Sequence, residues 1–197
     1  DIMWYGVIIG TGFLLAALYG ICRAREFGFD ADFVLDLLIV CLPAAILGAR
    51  LYYVAFRWSY YGAHLSEIFN IRGGGLAIYG AVIMGFVVAV LYTRNKKLKL
   101  WAMTDLCAMG LLIGQSIGRW GNFVNREAFG AETTLPWRMR LWTSAYQYIE
   151  VHPTFFYESL WNLVGLLLLL FVVSKGRRFD GENTWFYFLW YGLGRFW

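Results

Sequence analysis

The chain has 197 residues, of which 60% are hydrophobic and only 15% charged, with a net charge of +4. An ordinary soluble domain carries about 25% charged residues, and one soluble core of this size has no room for 10 Trp, 13 Tyr and 16 Phe. These figures exclude a soluble globular domain, a disordered chain and a disulfide scaffold; because the apolar residues come in long runs without period-two alternation, they point to an all-α polytopic membrane protein and away from a β-barrel.

A bilayer core takes about 20 apolar residues in helical form. Span one runs from Ile2 to Cys22 without a charge. Span two, Phe33 to Phe56, contains Asp36 and Arg50. Span three, Gly73 to Thr93, is uncharged, and span four, Leu100 to Gly118, carries Asp105. Span five, Pro153 to Ser174, carries Glu158, and Pro153 suits a first helical turn. Span six, Thr184 to Trp197, carries Arg195. No soluble domain and no internal repeat separates these spans, so 1–197 reads as a single membrane-embedded domain. Both ends lie in hydrophobic sequence, at Asp1 and Trp197, so trimming is expected. The opening has neither a basic n-region nor a small-residue cleavage site. Cys22, Cys41 and Cys107 sit in or at the ends of apolar runs and read as small hydrophobes, with no disulfide expected.

Lysine and arginine set the expected orientation. Loops 23–32, 94–99 and 175–183 share one side and hold nine basic residues, including all four lysines. Loops 57–72 and 119–152 hold six, all arginines. The first side is therefore expected to be cytoplasmic, with an extracytoplasmic segment over 119–152. The net positive charge suits contact with anionic lipid.

Ionisable residues inside spans are expensive and thus candidates for function. Asp36 and Arg50 share a helical stripe but stand about 21 Å apart along the axis, too far to pair. Arg50 is expected to snorkel to the outer interface. Asp36 and Asp105, near the cytoplasmic ends, are expected to cap or to pair between helices. The richest stretch is Gly118-Arg119-Trp120-Gly121-Asn122-Phe123-Val124-Asn125-Arg126-Glu127. In a helix, Arg119, Asn122 and Asn125 share a face, while Gly118 and Gly121 allow a broken, close-approach backbone. Arginine with amides is the chemistry of a phosphate or phosphodiester site, because the guanidinium fork meets two phosphate oxygens at once. An interfacial loop whose arginines meet lipid headgroups has the same composition.

Four further features accompany it. Span three opens with Gly73-Gly74-Gly75, which no strand precedes, so it is not a nucleotide loop; small residues there let a helix or a lipid approach the backbone. Tyr79 is placed about one and a half turns inside that span, as a packing residue or as a hydroxyl for acid–base work. His152-Pro153 opens span five, with Tyr157-Glu158 one turn on. Tyr191 and Arg195 are i, i+4 on span six, and Arg195 lies near the expected level of Arg119, so two cations would form an anion site in low dielectric. Trp4-Tyr5 has the pattern of an interfacial aromatic belt.

The stretch from Gly118 to Glu127 resembles the signature G-R-x-G-N-F-x-N-x-E of the prolipoprotein diacylglyceryl transferases. Trp4-Tyr5-Gly6, Gly48-Ala49-Arg50, Gly73 to Gly80, His152-Pro153-Thr154 with Tyr157-Glu158, and Tyr191-Gly192 with Arg195-Phe196 agree with the same family in the same order. The resemblance spans about Trp4 to Trp197. It departs at Tyr79, where some members carry an essential histidine. The family also continues past span six, through a glutamate-containing stretch to a seventh span.

The resemblance implies an enzyme of the bacterial cytoplasmic (inner) membrane with its active site outward. The sn-1,2-diacylglyceryl group of phosphatidylglycerol passes to the lipobox cysteine thiol of a preprolipoprotein, forming a thioether and releasing glycerol 1-phosphate. The expected partners are that lipid, that peptide and the bilayer, with no nucleic acid and no cofactor. Arg119 and Arg195 are expected to bind the phosphate and stabilise the leaving group. Asn122 and Asn125 are expected to hold the headgroup or the Arg119 loop. Tyr5, Gly74, Gly121 and Tyr191 complete the expected binding set. The nucleophile is a thiolate, whose pKa nearby arginines lower; if a base is used, Tyr79, Glu127 and His152 are equal candidates. Glu158 and Tyr191 are expected to support other residues. Two distant histidines make no metal site. A non-enzymatic carrier or flippase for anionic phospholipid is the alternative and differs by making no glycerol phosphate. An intramembrane hydrolase lacks a histidine paired with Ser116, and a transporter would show inverted repeats.

Overall fold

The computed structural model describes residues 4–71, 73–142 and 147–196. Ile2, Arg72 and Trp197, which enter the segments drawn above, lie outside them. Five stretches among the described residues are helical, long and apolar enough to cross a membrane: Trp4–Phe27, Ala31–Phe56, Ile78–Asn95, Leu100–Asn125 and Thr154–Gly176. Leu14, Leu18, Ile39, Val82 and Leu91 on these helices are each more than half exposed. Such continuous apolar surface suits lipid, and a helix satisfies its own backbone there. The chain is a mostly helical, multi-pass membrane protein.

Two compact units form, residues 29–100 and residues 1–28 with 101–197. The first contains α2 (Ala31–Phe56), the single turn α3 (Trp58–Tyr61) and α4 (Ile78–Asn95). Helices α2 and α4 cross closely because glycine faces glycine. A Cβ on Gly48 would stand 2.5 Å from the Gly80 carbonyl oxygen, and one on Gly80 would stand 2.2 Å from that of Gly48. In lipid, where burial drives helix pairing little, such close backbone approach supplies the attraction. One end of the pair is tied by the Tyr92 hydroxyl, which donates to Asp36 Oδ2 at 2.9 Å.

Two expectations for this unit need correction. Span three was drawn from Gly73, but α4 starts at Ile78. Gly74 and Gly75 have φ of +87° and +74°, in the left-handed region that glycine enters without strain, so hydropathy carried the span five residues too far. Arg50 does not snorkel. It is 6% exposed and folds inward onto the loop that follows α3. Its Nε donates to Ile68 O at 2.8 Å, NH2 to Glu67 O at 2.6 Å, and NH1 to Gly74 O and Gly75 O, both at 2.9 Å. The Tyr61 ring lies 5.1 Å from the guanidinium carbon. Loop carbonyls that lack ladder partners would otherwise be stranded, and five arginine donors in a fixed fork satisfy several at once.

The second unit contains α1 (Trp4–Arg23), α5 (Leu100–Asn125), β1 (Met139–Trp142), β2 (Tyr148–Val151), α6 (Thr154–Leu168) and α7 (Glu182–Phe196). Helix α5 is the most buried of the apolar helices and its neighbours are fastened to it by polar contacts. Ser159 Oγ of α6 donates to Ser116 O at 2.7 Å and accepts from Trp120 Nε1 at 3.1 Å. Gln115 Nε2 donates to the Tyr187 hydroxyl of α7 at 2.8 Å. Asp105, fully buried, takes the interhelical role expected of it: it accepts from the amides of Gly181 (2.8 Å) and Thr184 (2.9 Å), capping the N-terminus of α7 from another helix. Helices α6 and α7 are clasped by Trp161 and Trp190. Each indole donates to the other's backbone carbonyl, at 3.0 and 2.9 Å, and the rings stack 4.2 Å apart.

Between α5 and α6 the chain leaves the helical layer. Strands β1 and β2 pair antiparallel, with Met139 opposite Val151 and Trp142 opposite Tyr148. The stretch before them runs beside β2, with Thr133 N bonded to Glu150 O at 2.9 Å.

Candidate active site

The motif from Gly118 to Glu127 is built on the last two turns of α5. Span four was drawn to Gly118, but the helix continues to Asn125. Its glycines do not break it. A Cβ on Gly121 would lie 3.0 Å from the Tyr5 ring, so Gly121 is where α1 packs on α5, and Tyr5 is its packing partner. Arg119, Asn122 and Asn125 therefore do share a helical face. The helix stops at Arg126, which takes φ +55°. Arg126 N donates to Phe123 O (3.1 Å) and Glu127 N to Asn122 O (3.0 Å), the paired bonds of a Schellman termination. That turn folds Glu127 back over the helix end. Its Oε1 accepts from Asn122 Nδ2 at 3.1 Å and Asn125 Nδ2 at 3.3 Å. One carboxylate thus fixes both amides.

Arg119 points to α6 and ion-pairs with Glu158 Oε2. Arg195 of α7 approaches the same oxygen at 3.7 Å. Arg195 is the looser partner, with 59% of its side chain exposed against 27% for Arg119. Three helices thereby meet at one carboxylate, and two guanidinium groups against one carboxylate leave one positive charge. Glu158, expected to support other residues, pairs with both arginines. Charge compensation was the signal available in the sequence, since two arginines at one depth need an anion between them. A cavity of about 240 Å³ opens beside the cluster, lined by Glu158, Arg195, Tyr191, Asn162, Tyr157 and Thr154 among others.

The wall of that cavity continues outward through Tyr157. Its hydroxyl accepts from Trp137 Nε1 at 2.7 Å and stands 3.3 Å from His152 Nδ1. His152 thus neighbours Tyr157, which lines the cavity. Beyond it lies an apolar groove lined by Phe123, Trp137, Met139, Phe155, Phe156 and Leu160. The strand pair backing this region is clamped by Glu150, which accepts from Arg138 Nε and, at 2.8 Å, from Arg140 Nε. The bond from Arg140, with help from Arg138, holds the Glu150 carboxyl below its usual range.

Tyr79 and Gly74 belong to the other unit, residues 29–100. Tyr79 was placed one and a half turns inside its span. It is the second residue of α4 and 69% exposed, because the helix begins at Ile78. Its ring lies 6.4 Å from that of Tyr52. The Gly74 carbonyl is held by Arg50. Among the described residues, no group of three or more His, Cys, Asp or Glu side chains is placed to hold a metal ion.

A guanidinium pair with one net positive charge beside a cavity has the chemistry to hold a monoanion. The family model described as prolipoprotein diacylglyceryl transferase matches residues 1–197. Among similar proteins, the phosphatidylglycerol–prolipoprotein diacylglyceryl transferase of Clostridioides difficile is 41% identical over 196 residues, covering 100% of this chain and 77% of its own length. The protein of the same name from Finegoldia magna is 43% identical with the same coverage. One from Bacillus cereus is 44% identical, covering 99% of this chain and 74% of its own length. The chain belongs to the prolipoprotein diacylglyceryl transferase family.

Proposed function

We propose that this chain transfers the sn-1,2-diacylglyceryl group of phosphatidylglycerol to the cysteine thiol of a prolipoprotein lipobox. The observation that carries the reading is the Arg119–Glu158–Arg195 cluster beside its cavity. A phosphodiester carries one negative charge, which the cluster's single excess positive charge matches.

In the proposed step the cysteine sulfur, as thiolate, attacks the glyceryl carbon bonded to the phosphate oxygen. An S–C bond forms and a C–O bond breaks. The electron pair stays on the departing phosphate oxygen, so glycerol 1-phosphate gains a second negative charge as it leaves. Interactions that strengthen as that charge grows lower the barrier. Arg119 holds the phosphate from a fixed position on Glu158, and the looser Arg195 closes on the developing charge. Asn122 and Asn125, held by Glu127, orient the headgroup or the Arg119 turn. The thiol proton leaves to a base or to solvent, helped by the positive field. His152 is favoured for that role by its link through Tyr157 to the cavity, whereas the Glu127 carboxylate is already engaged by two amides. Tyr79 is kept as a hydroxyl candidate.

The reading takes 1–197 as one membrane-embedded transferase domain with six spans. Segment 119–152 and the cluster lie on the extracytoplasmic side of the bacterial cytoplasmic membrane. The excess of basic residues in the opposite loops supports that orientation. The test uses membranes containing the protein, radiolabelled phosphatidylglycerol and a lipobox peptide with cysteine or with serine. Label on the cysteine peptide alone, with glycerol phosphate released, is the expected result. Bound lipid without product would favour a phospholipid carrier and overturn the proposal.

A further inference from the structure

Below its charged layer the cavity has a second, neutral layer. Asn162 lies on α6 one turn past Glu158, about 6 Å along the axis. Tyr191 lies one turn before Arg195 on α7. Both line the cavity. Asn162 is 5% exposed. The other polar groups of this wall are engaged: Thr154 Oγ1 donates to Ala128 O, the Tyr157 hydroxyl accepts from Trp137, and Glu158 pairs with the arginines. Among the described residues, neither the Asn162 amide nor the Tyr191 hydroxyl has a hydrogen-bond partner. Both groups are free at a cavity wall, and so are available to a ligand whose polar atoms pair with them.

We infer that Asn162 reads the hydroxyl groups of the lipid's headgroup and so determines the choice of a glycerol headgroup over one without hydroxyls. The inference rests on the transferase reading above. A carboxamide offers two donors and an acceptor oxygen, so it pairs with a hydroxyl in either direction. The Tyr191 hydroxyl offers the same pairing from the facing helix. In this inference the headgroup glycerol occupies the neutral layer, one turn along α6 and α7 from the phosphate at the arginines. An ammonium headgroup fails twice: it has donors only, and it meets a cluster that is already positive. Rejection by charge and selection by hydroxyl pairing then act together.

The test compares phosphatidylglycerol with phosphatidylmethanol, which keeps the phosphodiester and lacks headgroup hydroxyls. Rates are measured with the full chain in proteoliposomes, for wild type and Asn162→Leu. Wild type should prefer phosphatidylglycerol by about tenfold or more, the effect of one buried hydroxyl pairing. Asn162→Leu should bring the ratio close to one by losing rate with phosphatidylglycerol alone. An unchanged ratio, or equal loss with both lipids, overturns the inference. Failure of wild type to transfer from either lipid would instead overturn the transferase reading, and this inference with it. A second measurement does not depend on the Leu variant folding. Thermal stabilisation of wild type by glycerol 1-phosphate should occur at about tenfold lower concentration than by methyl phosphate. Equal concentrations overturn the inference.

Discussion

Arg50 and Arg119 are both arginines of apolar helices, and they are held in opposite ways. Arg50 is 6% exposed, gives hydrogen bonds to four backbone carbonyls and lies against aromatic rings. Four of its five donors are taken by backbone carbonyls of the protein itself. Arg119 is answered by one carboxylate oxygen, which Arg195 also approaches, and that carboxylate and Arg195 line a cavity. A guanidinium with saturated donors holds a loop in place. One with spare donors and a net positive neighbourhood waits for an anion. The distinction lies in what surrounds each arginine, since both look alike as charges in an apolar run.

The contrast breaks most sharply at Arg119. Arg119→Ala should lower transfer by about a hundred- to a thousandfold, the scale of losing one preorganised donor to a developing anion. Its thermal stability in detergent should stay near wild type. Arg50→Ala should do the reverse in kind, costing about 3 kcal/mol or more by stranding loop carbonyls. Thermal unfolding and protease cleavage within 65–75 would report it. If Arg50→Ala unfolded no more readily than Arg119→Ala, the structural reading of Arg50 would fail.

Glu158→Gln sharpens the comparison by raising the cluster's charge to +2. Turnover should fall by about tenfold, while glycerol 1-phosphate, a dianion as it leaves, should inhibit at lower concentration. Weaker product inhibition would show that Glu158 does not set the charge of the site. Glu127→Ala frees the amides of Asn122 and Asn125, and a loss of roughly tenfold is expected from their misplacement. Equal activity would reduce Glu127 to a surface group.

The smallest expected effect is a pH effect outside the helices. The Glu150 carboxyl is held low by Arg140 and Arg138. A depressed folded value means the clamp contributes above the ordinary carboxyl value of 4.5, and that contribution is lost as pH falls through the lowered folded value. Amide protection over 139–142 and 147–151, corrected for the intrinsic exchange rate, should therefore be flat from neutral pH down to about 5 and fall only in more acid solution. Glu150 is partly exposed and its partner Arg140 is open to solvent, so the change should be slight. Loss of protection already near pH 6 would contradict the Glu150 clamp.

Hydropathy made most of the helices legible, because a bilayer imposes one length and one chemistry on any span. It failed where glycine and arginine decide the backbone. The stretch from Gly73 to Ala77 is apolar enough to extend a helix, yet Arg50 holds it as a loop. The stretch from Arg119 to Asn125 is polar enough to end one, yet it stays helical to the Schellman turn at Arg126. The motif's arginine and amides were legible as an anion site from residue type and spacing. The pairing of Glu158 was not legible, because its partners come from helices distant in sequence and only packing brings Arg119 and Arg195 to it. Asn162 had no signature at all, being one amide among leucines.

The most direct measurement is single-turnover transfer by Arg119→Ala beside a binding measurement on the same sample. Labelled phosphatidylglycerol, a lipobox peptide and the variant would be mixed in proteoliposomes, with wild type alongside. A folded, membrane-inserted variant that forms almost no thioether is the expected result, with a wild type that forms it and releases glycerol phosphate. A variant that transfers at the wild-type rate would remove Arg119 from the chemistry and with it the anion site at the centre of the proposed mechanism.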